Sequence, residues 1–480
     1  MGARADSSPE YSHYLLLNLE LGFVKLAFSL QLSVSSMIQA GDCTIPFETV
    51  EMIVSFLWHD PESLSHCTLV CRRWHTAVRP LIFRRVVVKG RERMVELESL
   101  LLEEPTVGYW IRELYIDGSS PDRSRRAWIF GPYPAADQLV FNGLDASSKT
   151  PNLHDPFPGP VLASRLRKLQ ALTFVQVHAT HPRTSGALIA GLTKAFASSI
   201  RSLTFESCWG HEGFFLALMH ALPLVNELRS IGTRTFEFGP HDWQIELESF
   251  RSTYLPFVST CITPGSQPAE AHRNVRLTSL RLDHHDFVHD LGSMVCLQSL
   301  RTVQTLQINH TGSRLHPIDD ISNKILPECG RTLRTLKLSI TSLPPASHTK
   351  RFEVLWLPSF THLKGLRTLE LHLTPLHHPF VASLLDTCSS WCTKLSTLVL
   401  HFSHEPHMNP AIYFQLDRKF KVGGSMRALK EVRLRYVGKS AEEEVVQWAK
   451  TTFQTLRTSR AERGIVAIVE MPNGRVRLLE

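Results

Sequence analysis

The sequence lacks the short motifs that mark the common catalytic and cofactor-binding sites. It has no G-x-S-x-G nucleophile elbow, no Walker phosphate loop, no H-E-x-x-H zinc helix and no G-x-G-x-x-G dinucleotide fingerprint. These absences argue against the hydrolases, nucleotide enzymes and zinc enzymes that use such spacings. We therefore predict a non-catalytic protein without a cofactor; an enzyme whose site lies in the loops is the alternative.

The nine cysteines do not form the pattern of a disulfide-stapled domain. Their number is odd and they are scattered, so we expect reduced thiols in an intracellular protein, cytoplasmic or nuclear. Cys67 and Cys71, and likewise Cys388 and Cys392, are four residues apart, which places each pair on one face of a helix. No matched set of four zinc ligands is visible, so we predict that these pairs are core thiols.

The 24 histidines include clusters but no recognisable ligand set. His401, His404 and His407 surround Glu405 without the fixed spacing that a metal site requires. We expect solvated side chains and no metal; a functional metal site is the alternative.

The charge pattern does not indicate a nucleic-acid-binding protein. Charged residues are 20% of the chain and the formal net charge is +7, which is only mildly basic. A short basic run at Arg123, Arg125 and Arg126 has no accompanying aromatic platform on which bases could stack. We therefore predict no nucleic-acid partner.

An apolar-rich stretch at residues 14–37 is interrupted by Glu20 and Lys25. Because a charged residue at the middle of a bilayer costs about 3 kcal/mol, a membrane span is disfavoured. The stretch also lacks the clean basic-then-apolar order of a signal peptide. We expect an N-terminal extension here, with an extra helix as one form of it; a membrane anchor is the alternative.

What the sequence does contain is a segment of three short amphipathic helices at residues 44–85. Apolar residues repeat at i, i+3, i+4 and i+7 from Val50 to Leu57, which predicts the buried stripe of a first helix. Asp60 followed by proline is typical of the start of a second helix. About 40 residues are few for a self-sufficient core, so we expect some apolar groups to face a partner. A bundle that packs only on its own chain is the alternative.

These residues resemble an F-box, in the variant common in fungal proteins. The resemblance rests on Ile45-Pro46-x-Glu48-x-Val50, on Asp60-Pro61 and on the run from Cys67 to Trp74. An F-box docks onto a Skp-family linker, which joins it to a cullin–RING ubiquitin ligase, so the resemblance implies a linker-binding surface. The residues expected to form that surface or to support it are Ile45, Pro46, Val50, Ile53, Leu57, Leu69, Val70 and Trp74.

A second pattern, L-x-x-L-x-L with conservative replacements, recurs ten times after the F-box. The copies are Ile111–Ile116, Leu169–Phe174, Ile200–Phe205, Leu228–Thr233, Leu277–Leu282, Val303–Ile308, Leu333–Leu338, Leu366–Leu371, Leu395–Leu400 and Leu429–Leu434. Helical stretches follow several copies, as at residues 318–328, 380–392 and 441–456. From residue 277 onward, the copies begin 26 to 34 residues apart. We predict an α/β chain in which the three-helix F-box precedes an irregular leucine-rich-repeat-like solenoid with a parallel sheet; an unrelated α/β architecture is the alternative.

These patterns divide the chain into four segments. They are an extension at 1–42, the F-box at 43–90, a connector with the first repeat strand and a long insertion at 91–164, and a repeat-like substrate domain at 165–480. Two insertions, 118–160 and 239–274, interrupt the period and are predicted to be surface loops. Apolar residues on both sides of Pro472-Asn473-Gly474 predict a C-terminal hairpin.

Residues that alternate with the buried leucines are predicted to lie on the open face of the sheet. Basic character increases toward the last repeat, so we assign substrate binding to the C-terminal part of this face, with an acidic or modified segment as one candidate ligand. A merely solvated face is the alternative. The assigned residues, of which the first two are expected to be exposed, are Lys337, Glu370, His372, Arg433 and Arg435.

The sequence as a whole predicts the substrate-recognition subunit of a Skp–cullin–F-box ubiquitin ligase. Its expected partners are a Skp-family linker, a cullin reached through that linker, and an unknown protein substrate. The alternative is a repeat scaffold or an F-box protein that acts outside ubiquitination.

Overall fold

The computed structural model describes part of the chain. The described residues are 45–58, 60–117, 160–179, 191–210, 218, 222–232, 234–235, 276–283, 300–310, 325–340, 360–373, 385, 388, 391–402, 417–418, 420, 426, 428–438 and 440–479. The extension at 1–42, the insertion at 239–274 and nearly all of the insertion at 118–160 lie outside them. The chain forms two compact units, Met1–Ile200 and Arg201–Glu480.

The first unit begins with the three predicted helices: α1 (Phe47–Phe56), α2 (Pro61–Thr68) and α3 (Arg72–Ile82). Asp60 caps α2 as expected, because its carboxylate accepts hydrogen bonds from the Ser63 amide at 3.1 Å and the Ser63 hydroxyl at 2.6 Å. The core of the three helices consists of Val50, Val54, Leu64, Ala77 and Val78.

The other described parts of the first unit are strands and helices in alternation. Its elements are β1 (Arg85–Lys89), α4 (Gly90–Glu103), α5 (Val107–Trp110), β2 (Glu113–Asp117), α6 (Pro160–Arg165), β3 (Ala171–Val175) and β4 (His178–Ala179). The strands β1, β2 and β3 pair in parallel. The Arg79 guanidinium joins α3 to this part, because it pairs with Glu104 and lies 5.3 Å from the centre of the Trp110 ring.

The described part of the second unit consists mainly of one parallel ladder of strands. Its strands are β5 (Ser202–Glu206), β6 (Trp209–Gly210), β7 (Glu227–Ile231), β8 (Arg234–Thr235), β9 (Ser279–Asp283), β10 (Thr305–His310), β11 (Thr335–Ile340), β12 (Thr368–Leu373), β13 (Thr397–Phe402), β14 (Glu431–Tyr436), β15 (Val466–Glu470) and β16 (Val476–Leu478). β5, β7 and β9 to β15 pair in parallel in that order, whereas β6 and β8 form a separate short pair. β15 and β16 are the predicted hairpin, paired antiparallel.

The ladder aligns equivalent residues of successive L-x-x-L-x-L copies. The middle apolar positions face one another across the strands and are fully buried; they include Leu280, Leu306, Leu336, Leu369 and Leu398. The turns before the strands repeat one hydrogen-bonding pattern, in which a single carbonyl accepts from two consecutive amides of the next copy, as Arg334 does from Arg367 and Thr368. The middle position of these copies is therefore buried as predicted, but the alternation is incomplete, because Val399 and Asp283 on the opposite face are buried as well.

One of the ten copies is out of phase with the prediction. Leu228 pairs with Leu203 and Leu280, so it is the middle position of its copy rather than the first. The copy starts at Val225 and its third position is Ser230, which is buried. Because its third position is polar, the true copy does not match the apolar pattern. The residues at 228–233 match it instead, since Leu228 and Ile231 are also three residues apart.

The helices between the strands differ in detail from the predicted stretches. The stretch 441–456 is two helices, α8 (Glu442–Thr452) and α9 (Gln454–Arg463). α7 (Leu326–Cys329) lies within the predicted stretch 318–328, and most of that stretch and of 380–392 lies outside the described residues. α9 starts where it does because the Asp417 carboxylate accepts hydrogen bonds from the Thr455 and Leu456 amides, at 2.7 and 3.0 Å. Within the described ranges, no helix combines the length and apolarity needed to cross a membrane.

Candidate protein-binding surfaces

Helix α1 carries apolar side chains on two sides. Val50 and Val54, one turn apart, are buried in the three-helix core. Met52 and Phe56, also one turn apart, point away from that core, and Phe56 is 79% exposed. A helix that only had to pack on its own chain would need one apolar stripe, so the second one is available to a partner.

The turn after α2 extends the exposed apolar area. Leu69 and Val70 are 74% and 62% exposed, although both are large aliphatic residues. We call six exposed apolar side chains of this three-helix domain the helical apolar surface; its members are Ile45, Met52, Ile53, Phe56, Leu69 and Val70.

Five of the eight residues predicted for linker binding are exposed: Ile45, Pro46, Ile53, Leu69 and Val70. Val50 is fully buried, so its predicted role is limited to supporting the surface from the core. Leu57 and Trp74 are half-buried against the core, so they support the surface more than they form it.

Sequence reasoning missed Met52 and Phe56. It also placed Ile53 in one apolar stripe with Val50 and Val54, whereas those two are buried and Ile53 is exposed. The sequence did contain evidence for a second stripe, because Met52, Ile53 and Phe56 are apolar. They lie beside the stripe formed by Val50, Val54 and Leu57. Periodicity finds the core of a short helix but does not separate two adjoining apolar stripes.

The open face of the second unit carries an ion-pair network near its C-terminal end. The Glu370 carboxylate on β12 accepts hydrogen bonds from His401 Nε2 at 2.8 Å and Arg435 Nη1 at 2.8 Å, and it pairs with Lys337 Nζ at 2.9 Å. The His401 hydrogen bond, followed by that of Lys337, lowers the pKa of Glu370 to about 2. The carboxylate is therefore ionised at any ordinary pH.

A second carboxylate, Glu470 on β15, binds both arginines of β14. It accepts from Arg433 Nη1 at 3.0 Å and from Arg435 Nε at 2.8 Å. Arg433 also pairs with Glu431 at 2.9 Å through Nη2. Arg435 thus bridges Glu370 and Glu470, which lie on strands on opposite sides of its own.

Two histidines of this face, His372 and His401, lie next to each other. The rings of His372 and His401 stack with centroids 4.7 Å apart. Burial, and next the neighbouring His401, lower the pKa of His372. His372 is consequently neutral at neutral pH and contributes a stacked ring rather than a charge.

These contacts correct two predictions about the open face. Glu370 was expected to be exposed, but its side chain is only 13% exposed. The expected basic character is neutralised, since Lys337, Arg433 and Arg435 are matched by three carboxylates, those of Glu370, Glu431 and Glu470. An acidic ligand would have to displace carboxylates already in place, so the structure argues against that candidate.

The remaining chemistry of the described residues is sparse. A cleft of about 810 Å³ lies beside the network, at the carboxyl ends of β14 and β15, between Arg435, Val437, Glu470, Met471 and Val476. Among the described residues, no three potential ligands converge as a metal site would need. Cys388 and Cys392 are buried as predicted, whereas Cys67 and Cys71 are only half-buried.

Comparison with known proteins identifies one domain. The family model of F-box-like domains matches residues 42–89, about a tenth of the chain. This range holds α1, α2 and α3 and ends with β1. None of the curated proteins matches the chain. The chain therefore contains an F-box-like domain, and the helical apolar surface lies within it.

Proposed function

We propose that this protein is a non-catalytic adaptor subunit of a Skp–cullin–F-box ubiquitin ligase. Its F-box-like domain binds a Skp-family linker and, through it, a cullin, while its second unit binds a protein substrate. An adaptor of this kind raises the effective concentration of the substrate near the ligase and contributes no catalytic group of its own.

The observation that carries the proposal is the helical apolar surface inside the F-box-like domain. Phe56, Leu69 and Val70 are each more than half exposed in a domain with a small core of its own. Burial of such side chains by a partner is favourable by about 25 cal/mol per Å² of apolar area removed from water. We propose that the linker supplies that burial.

Residues 165–480, which include the whole second unit, are proposed as a leucine-rich-repeat-like substrate domain, of the kind found in fungal F-box proteins. Support comes from the aligned leucines of successive copies and from the repeated carbonyl pattern of their turns. A parallel ladder of many strands offers one long open face, and a protein partner can contact several strands of it at once. The domain division at residues 90 and 164 belongs to the same proposal.

The test is linker binding by the full chain. The double variant Phe56→Ala/Leu69→Ala should lose at least about tenfold in affinity for a purified Skp-family linker, because buried apolar anchors dominate interfaces. Its melting temperature should not fall, since both side chains are exposed. The matched control is Val95→Ala/Leu102→Ala, which removes exposed apolar side chains of α4 outside the helical apolar surface and should bind as the wild type does.

Wild-type affinity in the Phe56→Ala/Leu69→Ala variant would refute the assigned surface. Co-purification of a cullin with the wild type, and its loss in the variant, separates a ligase subunit from an F-box protein that acts outside ubiquitination. Linker binding without any cullin would favour the latter.

A further inference from the structure

The last strand of the second unit has one edge that no described strand occupies. β16 ends the strand order of its sheet and pairs only with β15. Within this hairpin, the Met471 amide donates to the Arg475 carbonyl at 2.8 Å, and the Leu479 amide donates to the Ala467 carbonyl at 2.9 Å. The backbone groups of Arg475 and Leu479 therefore face β15.

Backbone groups of successive residues point to opposite sides of a strand, so those of Val476 and Leu478 point outward. Their two N–H and two C=O groups have no partner among the described residues. An edge of this kind is a template on which another strand can pair.

The side chains of the same two residues make this edge apolar on one face. Val476 lies opposite Glu470 and Leu478 opposite Ile468, which places both on the open face of the sheet. They are 54% and 47% exposed. Native edge strands are usually protected by charged side chains or proline, and this face of β16 has neither.

The opposite face of β16 carries positive charge. Arg475 and Arg477 both pair with the single carboxylate of Glu442 on α8, at 3.4 and 2.5 Å. Two guanidinium groups thus share one carboxylate, and the arginine side chains are still 69% and 59% exposed. The contacts also fix the hairpin to α8, so the edge is presented by an anchored strand.

We infer that the outer edge of β16 accepts an extended segment of a protein partner, which adds a strand to the sheet. The segment carries an apolar, an acidic and an apolar residue in succession. Its two apolar side chains lie beside Val476 and Leu478, and its acidic side chain lies beside Arg477 on the other face, because side chains alternate along a strand. This site goes beyond linker docking and does not depend on it.

A second copy of the same chain fits the edge less well. When two β16 strands pair antiparallel with Val476 of each opposite Leu478 of the other, Arg477 of one copy lies directly opposite Arg477 of the other. Like charges in directly opposed positions are destabilising. A partner with an acidic residue at that position instead places a negative charge beside Arg477, which is an attractive interaction.

The first experiment selects ligands without assuming their source. A phage library of random linear twelve-residue peptides is panned against the full chain at about 150 mM salt. Enriched peptides should contain the apolar–acidic–apolar triplet. A synthetic peptide of the consensus should lose about tenfold or more in affinity when its acidic residue is replaced by lysine, because attraction to Arg477 becomes repulsion.

The second experiment tests the backbone pairing itself. Amides of the consensus peptide are methylated one at a time, which removes a donor without altering the protein. Binding should be lost at alternate positions only, since every second amide of an added strand faces its neighbour. Leu478→Pro should also abolish binding, because it deletes an outward N–H that the hairpin does not use. Leu478→Ile keeps both that N–H and an apolar side chain, so any loss that it shows measures the side-chain change alone and is subtracted from the effect of Leu478→Pro.

Several results would overturn the inference. These are enriched peptides without the triplet, a methylation profile without alternation, and undiminished binding by a folded Leu478→Pro variant. A concentration-dependent dimer that Leu478→Pro makes monomeric would assign the edge to a second copy instead. Linker affinity is measured on the same variants and should be unchanged, so failure here is distinct from failure of the proposed adaptor role.

Discussion

Glu370 and Arg435 form an ion pair across an intervening strand. Glu370 lies on β12 and Arg435 on β14, with β13 between them, and Arg435 Nη1 donates to Glu370 Oε1 at 2.8 Å. The pair is possible because the parallel strands align His372, His401 and Arg435 in one row, so that the long arginine side chain can reach back over the ladder. The open face is therefore held together by its own charges.

Glu370→Gln should lower the free energy of unfolding by about 1–3 kcal/mol, because three donors lose a charged acceptor in a half-buried setting. Chemical denaturation of the full chain measures the change. Gln307→Ala, two strands away on the same face, should change stability by no more than about 0.5 kcal/mol. Equal stability of the two variants would mean that the network is too well solvated to matter.

The stability of the protein should also depend on pH through the ionisation of Glu370. The pKa of Glu370 is lowered from 4.5 to about 2 in the folded protein. A depressed pKa contributes stability that is complete above the unfolded value and is lost as the pH falls toward the folded value. The melting-temperature difference between the wild type and Glu370→Gln should thus be constant above about pH 5 and shrink between about pH 4.5 and 2. A difference that grows on acidification would contradict this assignment.

Leu336→Ala should destabilise the second unit by about 2–5 kcal/mol, because Leu336 is a fully buried position of the ladder. Lys337→Ala removes one exposed partner of Glu370 and should cost no more than about 1 kcal/mol. Thermal melts of the two variants check the order. If Lys337→Ala proved the more damaging, the assignment of faces to β11 would be reversed.

Val50→Ala and Ile53→Ala should separate support from contact in the F-box-like domain. Val50 is fully buried, so its truncation should cost about 2 kcal/mol of stability while folded molecules still bind the linker. Ile53 is exposed, and its truncation should weaken linker binding with little change in melting. Titration calorimetry and thermal melts of both variants give the two readouts. Full linker affinity in Ile53→Ala would remove this residue from the surface.

Sequence periodicity alone located the three helices and nine of the ten ladder copies. The reason is that burial acts residue by residue: a position such as Leu306 or Leu369 must be apolar whatever surrounds it. Turn and cap residues act locally as well, so Asp60 marked the start of α2 and Pro472-Asn473-Gly474 marked the hairpin. These features need only neighbours in the chain.

Other features depend on residues that are distant in sequence, and only the tertiary structure decided them. The predicted single helix at 441–456 is divided in two, and Asp417 caps the start of the second helix, α9, from 38 residues earlier in the chain. Glu370 and Glu470 neutralise arginines that the sequence presented as a basic surface. Composition counts charges but not their pairing, because the partners are brought together by strand register and not by spacing along the chain. The sequence thus determined most of the buried apolar positions, and the fold determined which charged side chains are paired and which apolar ones stay exposed.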